Sequence, residues 1–183
     1  NSTIAIVTSV SSSIANGAYK AGAIIPITIT FSQAVTVTGV PTLLLETGVT
    51  DRTISYSSGS GSTVLVFNYT VQAGDTNSDL GYNSTSALSL AGGTIKNAIA
   101  EDALITLNTP GSSESLSGSK NLVIDTSAPS IATQSLDPNL DYIDISFSEA
   151  VYTNSGSGAV EPGDFVVTFT KNGGTGTGVT ISS

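Results

Sequence analysis

The sequence predicts an all-β chain, with one β-sandwich over residues 1–127 and the start of a second, incomplete one over residues 128–183. Three observations carry that prediction. Ile27, Ile29 and Phe31 alternate with Thr28, Thr30 and Ser32, the period-2 pattern of a strand with one dry face and one wet face. Similar short runs recur about every 8–15 residues between Gly/Ser turns, as they do in sandwiches. No window holds a 3.6-residue apolar period with caps, so no helix longer than one or two turns is expected.

Taken in order, residues 3–10 form a first strand through Ile4, Ile6 and Val7, and Asn16-Gly17 marks a turn. Residues 24–32 are the clearest strand. Residues 39–46 follow with Leu43, Leu44 and Leu45, then residues 51–57 with Ile54 and Tyr56. Residues 58–62, S-G-S-G-S, read as a flexible hairpin loop. Residues 63–71 place Leu65, Phe67, Tyr69 and Val71 on one face. Residues 72–86 read as a polar, acidic loop holding Asp75 and Asp79. Short strands follow at 88–90, 94–96, 104–107 and 121–125. Residues 122–130, L-V-I-D-T-S-A-P-S, then close the first block and open the second. Pro129 fixes its own φ and pushes Ala128 toward an extended conformation, so this connector reads as taut.

The second block begins the pattern again, with strands at 131–136, 142–148, 164–171 and 179–182 and a glycine-rich connection at 173–178. I-T-I-T-F-S-Q-A-V at 27–35 and I-D-I-S-F-S-E-A-V at 143–151 agree at their apolar positions. They lie about 116 residues apart, the spacing of sandwich-sized modules in tandem. Four strands fall short of the roughly seven that such a sandwich wants. The second domain is therefore expected to be either cut or completed by strands from a neighbouring chain.

Composition excludes several function classes. The chain has no Cys and no His, which removes thiolate chemistry, disulfides, the usual zinc ligand and the usual general base. No Ser-His or Cys-His pair can be built, so no enzyme is expected. Paired carboxylates on turns, without a Trp as a sugar platform, make a poor glycosidase site. A net charge of −9 disfavours nucleic acid and anionic membranes and suits a hard cation held by oxygen. No apolar run is long enough to span a bilayer as a helix. The start at Asn1 reads as a mature or excised piece of a longer, exported protein, and the missing Cys favours a bacterial one.

Tyr19-Lys-Ala-Gly22, the strand at 27–35, Val71-Gln-Ala-Gly-Asp75, Leu90-Ala-Gly-Gly-Thr-Ile-Lys96 and Val123-Ile-Asp-Thr-Ser-Ala-Pro129 together resemble the tandem immunoglobulin-like repeats of very large bacterial surface and adhesin proteins. Leu136-Asp-Pro-Asn139, the segment 142–151 and Gly163-Asp-Phe165 are similar to a related repeat of cyanobacterial cell-surface swimming proteins. The first resemblance covers residues 1–129 and the second residues 130–183. Together they imply an immunoglobulin-like β-sandwich followed by a second, incomplete one. They also imply an extracellular location and roles as spacers, calcium-stiffened rods or binding heads. The chain departs from the pattern at Ala23, where an acidic residue is usual, at Gln33, where Glu is usual, and over Ala98-Ile-Ala-Glu-Asp102.

On the topology that the resemblance implies, Asp75, Asp79, Asp125 and Glu149 converge on the joint between the domains. Carboxylates, carbonyls and waters there would supply the six to eight oxygens of Ca²⁺. Glu101 and Asp102 form a lesser candidate at the opposite pole. The alternative is that all six are solvated loop acids. The expected partners are neighbouring repeats of the same polypeptide or neighbouring copies of the chain. Surface glycans are a further option, contacted through Tyr19, Tyr56, Tyr69, Tyr82, Tyr142 or Tyr152. Asn1, Asn68 and Asn83 fit the N-x-[ST] acceptor pattern, with Asn83 on the most loop-like stretch. The functional expectation is a non-catalytic spacer of a bacterial surface protein, stiffened by Ca²⁺. The alternatives are a self-assembling filament or sheath subunit completed by strand exchange, and an adhesin or glycan-binding module.

Overall fold

The computed structural model describes residues 4–136, 138 and 143–151. The chain divides into two compact units, Asn1–Ser127 and Ala128–Ser183. Unit 1 is all-β. Its strands are β1 (Val7–Ser12), β2 (Gly17–Tyr19), β3 (Ile24–Thr38), β4 (Thr42–Leu45), β5 (Arg52–Ser58), β6 (Ser62–Thr70), β7 (Thr76–Asn77), β8 (Leu88–Ser89), β9 (Thr94–Asn97) and β10 (Leu122–Asp125). A single helical turn, α1 (Leu116–Ser119), starts at Ser115, whose side chain accepts from Gly118 N.

A seven-stranded antiparallel sheet runs β1-β3-β6-β5-β4-β8, and β9 pairs with β3 off that path. β3 makes this possible by serving two ladders. Its first half lies between β1 and β6, and after a register break past Thr30 its second half pairs with β9. The irregularity bends the strand, and the sheet curls with it. Pro26 sits one residue beyond the β1 ladder, where Ser12 Oγ donates to its carbonyl. A proline is tolerated in a central strand at such an end.

Alternation then fills the core. Ile25, Ile27 and Ile29 face Tyr69, Phe67 and Leu65 across the β3–β6 ladder, and all six are essentially inaccessible. β4 adds Leu43 and Leu45, β9 adds Ile95, and the small sheet β2-β10-β7 closes on the same core through Leu122 and Ile124. β10 runs parallel to β2 and antiparallel to β7. That parallel pair joins the last strand of the unit to a segment near its start.

Several expectations change. The strand expected at 24–32 continues to Thr38, because the bend lets the chain change partners without ending. Residues 104–107 form no strand: Ala103 N donates to Ile95 O and Leu104 N to Ala5 O, so the segment crosses from one neighbour to another. The loop 72–86 is not simply solvated. Asp75, Leu80 and Tyr82 are buried in it, and it carries β7.

Unit 2 contributes β11 (Ile131–Leu136) and β12 (Ile143–Phe147), an antiparallel pair. Its register repeats that of β1 and β3. In unit 1, Val7 faces Phe31, one residue is bulged, and Ser9, Val10, Ser11 and Ser12 then face Thr30, Ile29, Thr28 and Ile27. In unit 2, Ile131 faces Phe147, one residue is bulged, and Thr133, Gln134, Ser135 and Leu136 face Ser146, Ile145, Asp144 and Ile143. The expected strands at 164–171 and 179–182 and the connection at 173–178 lie outside the described residues.

Candidate functional site

The most organised polar group in unit 1 surrounds Asp75. The β6 alternation that buries Leu65 and Phe67 also turns Tyr69 inward, and the turn after it brings the Asp75 carboxylate back to the Tyr69 hydroxyl. Arg52, at the start of β5, reaches the same point. Arg52 Nε and Nη2 each lie 2.7 Å from Asp75 Oδ1. Tyr69 Oη donates to Oδ2 at 2.6 Å and Gln72 N at 3.0 Å. The Asp75 side chain is 1% exposed, so this is a buried carboxylate with its lone pairs occupied. Burial by itself pushes the Asp75 carboxyl up. The hydrogen bonds from Arg52, Tyr69 and Gln72, together with the Arg52 charge, outweigh it and hold the group below the usual carboxylate range. Burial first, and the bond to Asp75 second, push the Tyr69 phenol well above its ordinary value.

This network continues into the connector. Thr126 Oγ1 donates to Asp75 O at 2.8 Å and accepts from Gly74 N at 3.0 Å. Asp125 Oδ1 accepts from Ser127 N at 2.9 Å. A shallow depression of about 370 Å³ lies beside it, lined by Thr76, Asn77, Ser78, Val123, Ile124, Asp125 and Ser127.

The other predicted acids have separate surroundings. Asp79 N donates to Asn77 Oδ1, while its own Oδ1 is buried without a hydrogen-bond partner. Such an atom calls for a water or an ion. At the other candidate location, Asp102 pairs with Lys96 Nζ at 2.6 Å, and Glu101 Oε2 accepts from the largely buried Asn97 at 3.0 Å. Glu149 is half-buried in unit 2. Among the described residues no three acidic side chains gather into a group that could hold a metal.

The tyrosines do not assemble an open platform among the described residues. Tyr69 and Tyr82 are core residues, Tyr56 packs edge-on against Phe67, and Tyr19 Oη donates to Ala15 O. Tyr142 and Tyr152 lie outside the described residues. Asn68 and Asn83 are exposed. Sequence reasoning missed Arg52 and Tyr69 as partners of Asp75. The available signal was a lone cation two residues before a strand's inward Ile54, in a chain with five Lys and Arg. Comparison with protein-family models, curated proteins and solved structures returned no match.

Proposed function

We propose that this chain is a non-catalytic, extracellular spacer segment of a large bacterial surface protein, built from tandem immunoglobulin-like β-sandwich units. The observation that carries the reading is the repeated hairpin register: β11–β12 reproduces β1–β3 pair by pair, with the bulge at the same step. A repeated sequence pattern alone can arise from any two amphipathic strands. A repeated bulge position supports the reading that the two are the same strand pair of related units, because bulges are specific features of a family of sheets. The seven-stranded and three-stranded sheets around one core support the sandwich form of that unit.

The parallel β2–β10 ladder supports a mechanical role. Tension that passes β1 and reaches β2 from the amino-terminal side, against β10 from the carboxy-terminal side, loads that ladder in shear, so its hydrogen bonds resist together instead of unzipping in turn. In this reading Ca²⁺ stiffens the segment, with Asp79, whose buried Oδ1 has no hydrogen-bond partner, and Asp125 as separate candidate ligands on unit 1. Asp75 has no lone pair left for it. Single-molecule pulling tests the proposal. Unit 1 is expected to yield in one force peak, releasing on the order of 400 Å of chain, at higher force in Ca²⁺ than in EDTA. Gradual extension without a peak would overturn the spacer reading, and identical forces in Ca²⁺ and EDTA would remove the ion from it.

A specific observation favours the filament as second reading. Ile143 and Ile145 on β12 are each more than half exposed, whereas Ile27 and Ile29 at the matching places of β3 are buried. Such an apolar face calls for cover. Strand exchange between copies predicts concentration-dependent assembly that Ile145→Asp abolishes. A monomer at all concentrations would sink it.

A further inference from the structure

We infer that unit 1 carries a built-in latch that fixes the direction in which the connector leaves it, and that Asp75 and Thr126 are its positioning residues. The inference takes its purpose from the spacer reading and its geometry from hydrogen bonds within unit 1 alone. A spacer transmits orientation only if the chain leaves each unit along a defined path. Four successive restraints define that path here. β10 is paired with β2 from Leu122 to Ile124 and with β7 at Ile124 and Asp125. Asp125 Oδ1 then holds Ser127 N. Thr126 Oγ1 bridges Asp75 O and Gly74 N, acting as donor to one and acceptor from the other. Pro129 removes most of the freedom that remains at Ala128.

The Thr126 bridge depends on the shape of the 72–75 turn. That shape is set by the Asp75 carboxylate, which gathers Gln72 N, Tyr69 Oη and the Arg52 guanidinium around one buried point. Asp75 N also donates to Gln72 O, and Thr76 N to Thr47 O, so the turn is tied on both sides. Asp75 therefore acts at a distance of one residue. Its side chain grips the core, and its carbonyl grips the departing chain. The grip needs no cation, because every donor and acceptor belongs to the protein.

The chain has no Cys, so paired spin labels can be placed cleanly at Ser55→Cys in unit 1 and Ser135→Cys in unit 2, both exposed. Pulsed EPR in EDTA is expected to give a narrow distance distribution for the otherwise native chain. Thr126→Val loses the bridge while keeping the side-chain volume. Freeing about three residues of connector broadens the distribution by on the order of 10 Å. Thr126→Ser restores the hydroxyl and the narrow distribution. Asp75→Asn broadens it as well. Because that variant also disrupts the buried Arg52–Tyr69–Asp75 network, Thr126→Val, which leaves that network's side chains in place, is the deciding one. A narrow distribution in both native chain and Thr126→Val overturns the latch and leaves the spacer reading standing. A broad distribution in the native chain overturns the stiff spacer itself, and the latch with it.

Discussion

Replacing Tyr69 with Phe probes the Asp75 network with little other disturbance. The ring is 1% exposed and packed among β3 and β6 side chains, so Phe fills the same space and no cavity opens. What is lost is one hydrogen bond of 2.6 Å to a carboxylate. A bond to a charged group contributes about 1.5–3 kcal/mol, against about 0.5–1.5 for a neutral pair. Urea unfolding at neutral pH should therefore show Tyr69→Phe less stable by about 1.5–3 kcal/mol. That corresponds to a fall in Tm on the order of 10 °C for a unit of this size. The penalty should depend on pH. Asp75 has a depressed folded pKa, so its stabilisation is complete above the unfolded value of about 3.9 and is lost as pH falls through the folded one. Removing the Tyr69 donor raises that folded value, so acid unfolding of the variant begins at higher pH. Below the transition both chains hold a neutral Asp75, and the difference between them shrinks. A penalty under about 0.5 kcal/mol, or one equal at acid and neutral pH, would refute the assignment of Asp75 as a buried ionised anchor.

The alkaline limb offers an independent check. Burial pushes Tyr82 up to about 12, so its contribution is intact below the unfolded value of about 10 and is lost as pH rises through the folded one. Tyr82→Phe should unfold less steeply across that window, as followed by circular dichroism. Gly59→Ala should cost at least about 1–3 kcal/mol, measured by thermal melting. Gly59 adopts φ +108° in the β5–β6 hairpin, and an added Cβ would sit 2.0 Å from Val64 O. Leu122→Ala should cost about 2–5 kcal/mol, because this fully buried side chain is one of the two by which β10 closes the core. A smaller loss would mean that β10 is peripheral to unit 1.

Much of unit 1 is legible one strand at a time. The β3, β4, β5 and β6 patterns read correctly because each side chain's face is set by a two-residue period that needs only local sequence. β2 and β7 escaped that reading. Three residues, Gly17–Tyr19, and two, Thr76–Asn77, are too short to show a period, and they are strands only because β10 lies between them. The segment 104–107 failed for the opposite reason. Its apolar content is strand-like, but Leu104 finds one neighbour and Ala103 another.

The candidate site divides along the same line. Asp125 stood out in the sequence as a carboxylate entering a proline-stiffened connector, and the structure places it in contact with that connector through Ser127 N. Asp75 stood out as a loop acid and a candidate Ca²⁺ ligand, yet it is buried and paired with Arg52. Its partner Arg52 is 23 residues away, and nothing in a 15-residue window links them.

For this chain, then, composition and periodicity determined the all-β class, the absence of His and Cys chemistry, and the dry face of each long strand, because those properties are local or additive. Tertiary structure alone decided that a turn acid becomes the anchor of the core and that a threonine beyond β10 is tied to it. It also decided that the second hairpin repeats the bulge of the first. The first two depend on residues far apart in sequence meeting at hydrogen-bond distance, and the last on a strand register that no single strand's pattern contains.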